Sequence, residues 1–227
     1  MKKIETTVFR FNELNDKAKE KAREWFRRAS DGDDFWSECA LEEVEREGIL
    51  LGISFKERQR TSMSGKPLPG KPCIWWSGFW SQGDGACFEG TWSASDVKAD
   101  KVADGWGEYP ATTEIKRIAA VFEEIAKEYP ESSFTVTHRG HYNHENCTEF
   151  DFNFPDDKAG EEWPEDKREA WDKECENLKE NAKDFMRWIY RRLEKEYEHA
   201  NSDEQVDENI MANEYPFTDK GERTVIL

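Results

Sequence analysis

The sequence predicts an α+β fold: a mixed, mainly antiparallel sheet with a central aromatic-rich hairpin, covered by helices. Two aromatic runs flank the Ser-Gln-Gly-Asp-Gly stretch at 81–85, whose glycines suit a chain reversal. Segments before and after this hairpin in the chain carry apolar residues at helical spacing. The strands and helices do not alternate as they do in βαβ units. The length of 227 residues allows one large core, so we predict a single domain over 1–227.

The N-terminal third is predicted to contain two strands and two helices. Apolar residues alternate with polar ones over residues 4–11, which predicts a short strand. Asn15 then caps a helix that carries alanines and aromatics at helical spacing. A second helix is predicted over 35–47. Residues 49–55 alternate as a strand, and the proline- and glycine-rich segment 61–72 is predicted as a surface loop.

The central hairpin is predicted over residues 73–92. Its large aromatic side chains occupy both alternation phases: Trp75, Trp76, Phe79, Trp80, Phe88 and Trp92. Each buried aromatic side chain removes roughly 150–250 Å² from water. Either helices cover both faces of the hairpin, or one face holds something else; we interpret these side chains chiefly as filling between layers.

The C-terminal half contains the clearest helices. Residues 113–129 and about 164–199 each carry a single apolar stripe. Between them, 134–138 and 150–154 are predicted as partner strands. The segment 202–227 begins with a short acidic helix and is expected to pack on the long helix.

The charge of the chain restricts its partners. The formal net charge is -17 at pH 7. A negative field repels phosphate, which disfavours nonspecific binding to nucleic acids and anionic membranes and favours a basic protein partner. The same charge also serves solubility.

Neither a membrane segment nor a cofactor is expected. No run approaches the ~18 apolar residues of a membrane span, and the N-terminus does not resemble a signal peptide. The five cysteines are an odd number without close pairing, which favours free thiols in a reducing cytoplasm. The sequence contains no phosphate-binding loop, dinucleotide fingerprint or nucleophile elbow.

The turn of the central hairpin is the first candidate site. Asp84 and Gly85 suit turn positions of positive φ, so turn chemistry accounts for most of this pattern. The functional interpretation is an exposed loop on which Gln82, Asp84 and Glu89 lie beside aromatic walls such as Trp80. Stacking on aromatic rings could hold a nucleobase at ~1–3 kcal/mol, although the acidic residues would repel its phosphates.

A second candidate lies between the two C-terminal strands. His138, His141, His144 and Cys147 are spaced three apart. In an extended strand His138 and His144 share a face and His141 points away, and the spacing is not a recurrent zinc pattern, so no metal is predicted. An alternative is a metal-assisted hydrolase in which His138, His144 and Glu145 do proton transfer.

The third candidate is the acidic segment 201–215, which contains no Lys or Arg. Its carboxylates include Asp203, Glu204, Asp207 and Glu208. A solvated helix face explains them, because the helix dipole favours Asp203 and Glu204 in the first turn. The alternative is docking to a basic surface, with local mimicry of nucleic acid.

Several stretches carry a resemblance to a known family. They are Phe11–Ala22 with Trp25, above all Ser77–Gly90, then His138–Gly140, Tyr142, His144–Glu145 and Cys147, and finally Ser202–Glu204 and Ala212–Tyr215. On these stretches the chain resembles a family of phage and prophage proteins labelled "antitoxin of toxin–antitoxin stability system". The resemblance implies expression in the cytoplasm of a bacterial host and, by analogy, action on a host protein; it implies no catalytic residues.

We therefore predict an acidic phage protein that binds a host toxin or defence protein with a basic surface and neutralises it stoichiometrically. A binding protein is favoured over an enzyme. The residues expected to bind are Trp80, Gln82, Asp84, Glu89, Arg139, Tyr142, His144, Glu145, Asp203, Glu204, Asp207 and Glu208. The alternatives are a binder of nucleotides or signalling small molecules, and the metal-assisted hydrolase. The sequence carries no signal for an oligomeric state.

Overall fold

The computed structural model describes residues 7–30, 35–104, 112–153 and 164–225. It confirms the α+β class, with helices beside antiparallel strand ladders. The helices are α1 (Asp16–Ala29), α2 (Phe35–Leu50), α3 (Ala99–Asp104), α4 (Thr113–Glu128), α5 (Glu165–Ala200) and α6 (Asp203–Ala212). The strands are β1 (Ile53–Phe55), β2 (Glu57–Thr61), β3 (Pro67–Pro72), β4 (Ile74–Trp76), β5 (Ala86–Phe88), β6 (Gly90–Ser93), β7 (Ser133–His138) and β8 (Thr148–Asn153). No helix in the described ranges is both long enough and apolar enough to cross a membrane.

The chain divides into two compact units. One comprises residues 1–39 with 194–227, and the other comprises residues 40–193. That the two act as the single domain predicted from the sequence stays a prediction. Each unit has its own buried residues.

The core of the 40–193 unit lies on a four-stranded antiparallel sheet with the order β1-β6-β7-β8. Trp92 on β6 is fully buried. Its ring stacks on Phe122 of α4 at 5.4 Å and on Phe134 of β7 at 5.2 Å. Its indole Nε1–H donates to the backbone carbonyl of Leu51 at 2.9 Å, so the polar atom of this large side chain is also satisfied.

The predicted central hairpin is divided between two ladders. Strands β4 and β5 pair with each other alone, whereas β6 belongs to the four-stranded sheet. The chain changes ladder at Gly90, where an added Cβ would lie 2.4 Å from the backbone oxygen of Ser54 on β1. The prediction that the aromatics fill the core is right for Phe88 and Trp92, which are fully buried, and wrong for Trp80, which is 78% exposed.

A polar hairpin replaces most of the loop predicted at 61–72. Strands β2 and β3 form a two-stranded ladder, and β2 is exposed along its whole length. Prolines are tolerated in β3 because it is an edge strand and does not need every N–H for pairing. Predicted strand 49–55 is also shorter than expected, since α2 continues to Leu50 and β1 begins at Ile53.

In the other unit, α1 and α6 form a separate apolar cluster. Its buried members are Phe11, Leu14, Ala18, Ala22, Val206, Ile210 and Phe217. Asn15 caps α1 as predicted, by accepting from the backbone N–H of Ala18 at 3.0 Å. The C-terminal segment thus buries its apolar side chains with α1. The predicted strand at 4–11 is wrong in its described part, where Phe9 makes an isolated bridge and a 3₁₀ turn begins at Phe11; residues 4–6 lie outside the described ranges.

Candidate functional site

The backbone of the aromatic loop, residues 77–85 between β4 and β5, is fixed by a side chain of the loop itself, that of Asp84. Oδ2 of Asp84 accepts hydrogen bonds from the backbone N–H of Trp80 at 3.0 Å and of Ser81 at 2.6 Å. The N–H of Asp84 donates to the Ser81 carbonyl at 3.1 Å. Asp84 therefore forms the turn, and its carboxylate is already occupied by the chain that carries it.

Contacts from outside hold the aromatic loop in place. Asn143 Nδ2 donates to the carbonyl of Trp76 at 2.9 Å, and the Tyr190 hydroxyl donates to the carbonyl of Gly78 at 3.1 Å. The ring of Tyr142 lies on Gly83, where φ is +93° and an added Cβ would lie 2.9 Å from the ring. The loop is thus held by residues of α5 and of the polar connection between β7 and β8.

These contacts leave an aromatic surface, defined here as Trp80, Gln82 and Tyr142. Trp80 is 78% exposed and Tyr142 is 55% exposed. Gln82, two residues after Trp80, is also exposed. Large aromatic rings on a fixed backbone lose little entropy on binding, which suits them to anchor a partner.

The other rings of the hairpin pack on the protein itself. Trp76 stacks on Phe79 with ring centroids 5.7 Å apart, and Phe79 also contacts Tyr190 at 5.5 Å. The guanidinium of Arg58 lies 5.0 Å from the ring centre of Trp75. Trp75, Trp76 and Phe79 are thus half-buried against side chains of the same unit.

The polar connection between β7 and β8 is anchored by a buried carboxylate. Glu145 is 9% exposed, and its Oε1 accepts from Arg187 Nε at 3.0 Å. Arg187 also pairs at 2.6 Å with Asp184, which lies one turn earlier on the same face of α5. His144 Nδ1 lies 3.0 Å from Oε2 of Glu145 and 3.1 Å from the backbone nitrogen of Asn146. A neutral ring accepts from Asn146, and a protonated ring donates to Glu145.

Replacing Arg187 with Met is expected to destabilise this connection. The substitution leaves the Glu145 carboxylate buried without its guanidinium, and we expect a loss of about 2 kcal/mol in the free energy of unfolding. Urea denaturation followed by circular dichroism measures the loss. Lys179→Met is the control, because Lys179 on the same helix pairs at 2.9 Å with the exposed Glu176 and should cost less than about 1 kcal/mol. Equal losses in the two variants would contradict the anchoring role of Arg187.

The remaining predicted residues of this region form hydrogen bonds or ion pairs with other residues of the chain. Glu89 accepts from the backbone N–H of His138 at 3.3 Å and pairs with Lys56 at 3.2 Å. His138 Nε2 lies 3.0 Å from the carbonyl of Tyr142, and Arg139 pairs with the exposed Glu149 at 3.2 Å. Across the described ranges, no three His, Cys, Asp or Glu side chains are arranged to hold a metal ion.

The thiols of Cys87 and Cys175 are not poised as nucleophiles. All five cysteines are free. Burial raises the pKa of Cys87 to about 12, with smaller contributions from Cys147 and nearby carboxylates, and burial likewise raises the pKa of Cys175 to about 12. A thiol with a raised pKa stays protonated at neutral pH and does not act as a thiolate.

The acidic helix α6 in the other unit is only partly available. Arg23 on α1 holds both oxygens of Asp207, at 2.6 and 2.7 Å, and Arg27 pairs with Asp203 at 2.5 Å. Glu204 and Glu208 are exposed and form no ion pair within the described part of the chain. Half of the predicted acidic surface therefore stabilises the unit itself.

The structure thus brings together Trp80, Gln82, Asp84, Tyr142, His144 and Glu145 around two neighbouring loops. Sequence reasoning missed the supporting side chains Asn143, Arg187 and Tyr190. Arg187 and Tyr190 lie three apart on α5, where they read as part of the mixed polar face, so no local pattern distinguishes them.

The comparisons with known proteins identify a family and nothing beyond it. A family model described as "Domain of unknown function (DUF8835)" matches residues 36–203. The matched range includes the aromatic loop and the connection between β7 and β8. No curated protein and no solved structure matches the chain.

Proposed function

This chain belongs to the family described as a domain of unknown function (DUF8835), and we propose that it is an acidic interaction protein that binds a basic protein through its aromatic surface. Binding would be stoichiometric and would neutralise the bound protein. No substrate is transformed in this proposal, and no cofactor is required.

The observation that carries the proposal is the exposure of Trp80 on a backbone that is already fixed. An indole that is 78% exposed contributes little to the stability of its own chain. Tryptophan and tyrosine are the residues most enriched among binding hot spots, where they fill pockets on a partner. The hydrogen bonds that Asp84 accepts and Asn143 donates fix the loop before binding, which lowers the entropic cost of association.

The charge of the chain defines the chemistry of the partner. A net charge of -17 attracts basic proteins over long distances and raises their association rate at low salt. Glu204 and Glu208 add exposed carboxylates that no cation of the described chain neutralises. Carboxylates therefore steer the partner, whereas the aromatic rings supply most of the affinity.

The resemblance to phage antitoxin proteins supports a particular class of target. We propose that the partner is a toxin or a defence protein of a bacterial host and that binding takes place in the host cytoplasm. A toxin or nuclease that acts on nucleic acid presents a basic surface, which an acidic protein can occupy in place of its substrate.

The test compares the wild-type chain with the double variant Trp80→Ala/Tyr142→Ala as bait in a lysate of a bacterial host. We expect a basic protein that is captured at low salt, is released near 0.5 M salt because screening weakens the charge attraction, and is lost from the double variant. With the purified partner, the double variant should bind at least about 30-fold more weakly, since loss of a hot spot costs about 2 kcal/mol. Co-expression of the wild-type chain should then relieve growth inhibition by that protein, and the double variant should not.

Phe35→Ala is the matched control, because Phe35 is another exposed aromatic residue, at 69%. This variant should capture the same partner with unchanged affinity. If the wild-type chain, the double variant and the control capture the same proteins, or if no basic protein distinguishes them, the aromatic surface is not a binding site and the proposal is wrong.

A further inference from the structure

The β2–β3 hairpin of the 40–193 unit, residues 57–72, is basic in an otherwise acidic chain. Strand β2 is exposed at every position, so it adds no buried side chain to the core. A two-stranded ladder without a buried face is only marginally stable, and core packing therefore does not account for it. The chain has a net charge of -17, whereas the hairpin carries four cations and one carboxylate: Arg58, Arg60, Lys66, Lys71 and Glu57.

Hydrogen bonds at the two ends of the hairpin determine which backbone groups of β2 face outward. The N–H of Cys73 donates to the carbonyl of Lys56 at 2.7 Å, and the N–H of Ser62 donates to the carbonyl of Lys66 at 2.8 Å. Bonded and non-bonded pairs alternate along an antiparallel ladder, and the irregularity in this ladder places its extra residue in β3. Alternate residues of β2 therefore turn their N–H and carbonyl groups away from β3, and these are Glu57, Gln59 and Thr61.

The two edges of the hairpin differ in their capacity to bind a further strand. Strand β3 contains Pro67, Pro69 and Pro72, which have no N–H to offer, whereas β2 contains no proline. On its outer side β2 pairs with no other strand of the described ranges. The outward backbone groups of β2 also form no hydrogen bond with any residue that the structure describes. An unpaired strand edge without proline is the kind of surface to which an extended peptide adds as a new strand.

Two arginines of β2 determine the charge that such a peptide should carry. Arg58 and Arg60 are two residues apart, so their side chains project from one face of the strand, and Glu57 projects from the other. The guanidinium of Arg58 lies 5.0 Å from the ring centre of Trp75. Neither arginine forms an ion pair with a residue of the described ranges. A guanidinium that lies on an aromatic ring is held in place and can still donate two parallel hydrogen bonds to a carboxylate.

We infer that the outer edge of β2 binds an extended acidic peptide segment of a partner protein as an added antiparallel strand. The backbone of the peptide would pair with the outward groups of Glu57, Gln59 and Thr61. Acidic side chains two residues apart in the peptide would lie opposite Arg58 and Arg60, where opposite charges stabilise a strand pair. The aromatic surface takes no part in this interaction, so the inference goes beyond the proposed function.

Two other occupants fit this edge less well. If the β2 strands of two copies paired around Gln59, Arg58 of one copy would lie opposite Arg60 of the other, and like charges directly opposite are unfavourable. The phosphates of a nucleic acid would satisfy the arginines but would leave the outward backbone groups of β2 without partner strands. The net charge of -17 also repels a polyanion more strongly than a peptide with two acidic residues.

Fluorescence anisotropy of the labelled peptide Ser-Thr-Glu-Thr-Glu-Thr-Ser, titrated with the full chain at low salt, tests the inference. We expect saturable binding to one site. Methylation of the threonine nitrogens of the peptide removes the N–H groups that would face β2, and should weaken binding at least about tenfold. Methylation of the glutamate nitrogens, which would face away from β2, keeps the same charge and should leave the affinity almost unchanged.

The matching change in the protein is Arg58→Gln/Arg60→Gln. This variant should bind the unmodified peptide at least about tenfold more weakly, because the carboxylates lose both guanidinium donors. Lys98→Gln/Lys116→Gln is the control, since it removes two positive charges from exposed positions of the same unit and should leave the affinity unchanged.

The inference is overturned by absence of saturable binding, by equal losses in the arginine variant and the lysine control, or by equal affinity for the two methylated peptides. It is also wrong if a labelled oligothymidylate binds more tightly than the peptide and is lost from the arginine variant, because the hairpin would then bind phosphates. Trp80→Ala/Tyr142→Ala should bind the peptide normally. Failure of this peptide site and failure of the proposed partner binding are therefore told apart.

Discussion

Trp92→Ala is expected to cost the chain at least about 4 kcal/mol of unfolding free energy. Large-to-small substitutions of a buried tryptophan cost about 3–5 kcal/mol through lost burial and the remaining cavity. Trp92 is fully buried between Phe122 and Phe134, so both rings lose a stacking partner at once. The Leu51 carbonyl also loses its indole donor, which adds the cost of a buried unsatisfied acceptor.

The measurement is urea denaturation followed by far-ultraviolet circular dichroism, with two comparison variants. Trp92→Phe keeps an aromatic ring in the stack and loses only the N–H donor and some volume, so it should lose clearly less stability than Trp92→Ala. Trp80→Ala changes the same residue type in the same segment but at an exposed position, and should shift stability by no more than about 0.5 kcal/mol. Similar losses for Trp92→Ala and Trp80→Ala would contradict the assigned core.

The contrast between these two tryptophans shows where prediction from sequence succeeds and where it stops. Helices α4 and α5 were predictable to within a few residues, because each long element carries one apolar stripe that repeats at helical spacing. Burial of an individual aromatic in the hairpin was not predictable. Trp80 and Trp92 have the same intrinsic preference to be buried, and only the placement of α4 and β7 over Trp92 distinguishes them.

The same limit applies to strand partners. Alternation continues without a break through Ala86, Phe88, Gly90 and Trp92, so nothing local marks the point at which the chain leaves one ladder for another. Strand β6 pairs with β1 around Ser54, and this segment is distant from β6 in sequence. A pattern argument fixes which face a residue occupies but not which strand lies beside it.

Charge pairing between α1 and α6 could have been partly predicted. Arg23 and Arg27 on α1 are four residues apart, as are Asp203 and Asp207 on α6, so each pair lies on one helical face. Two complementary faces of this kind indicate a helix–helix ion pair, which the structure contains.

Gly90→Ala is expected to cost about 3 kcal/mol, the upper end of the usual range for overpacking. The Cβ would lie 2.4 Å from the Ser54 carbonyl oxygen and 3.0 Å from the Cα of Phe55. Both atoms belong to the backbone, so no change of rotamer relieves the clash and β1 must move away from β6. Hydrogen exchange should report the movement as faster exchange of the β1 amides.

Thr91→Ala is the control for this position, because Thr91 is the next residue of the same strand and its side chain is exposed. Its cost should stay below about 1 kcal/mol, the span of intrinsic strand preference. If Gly90→Ala unfolds at the same urea concentration as Thr91→Ala, then β1 and β6 do not approach closely at Gly90. The change of ladder at this residue would then need another cause. The pairing of β6 with β1 would also no longer explain the position of the aromatic loop, which is connected to Gly90 through β5.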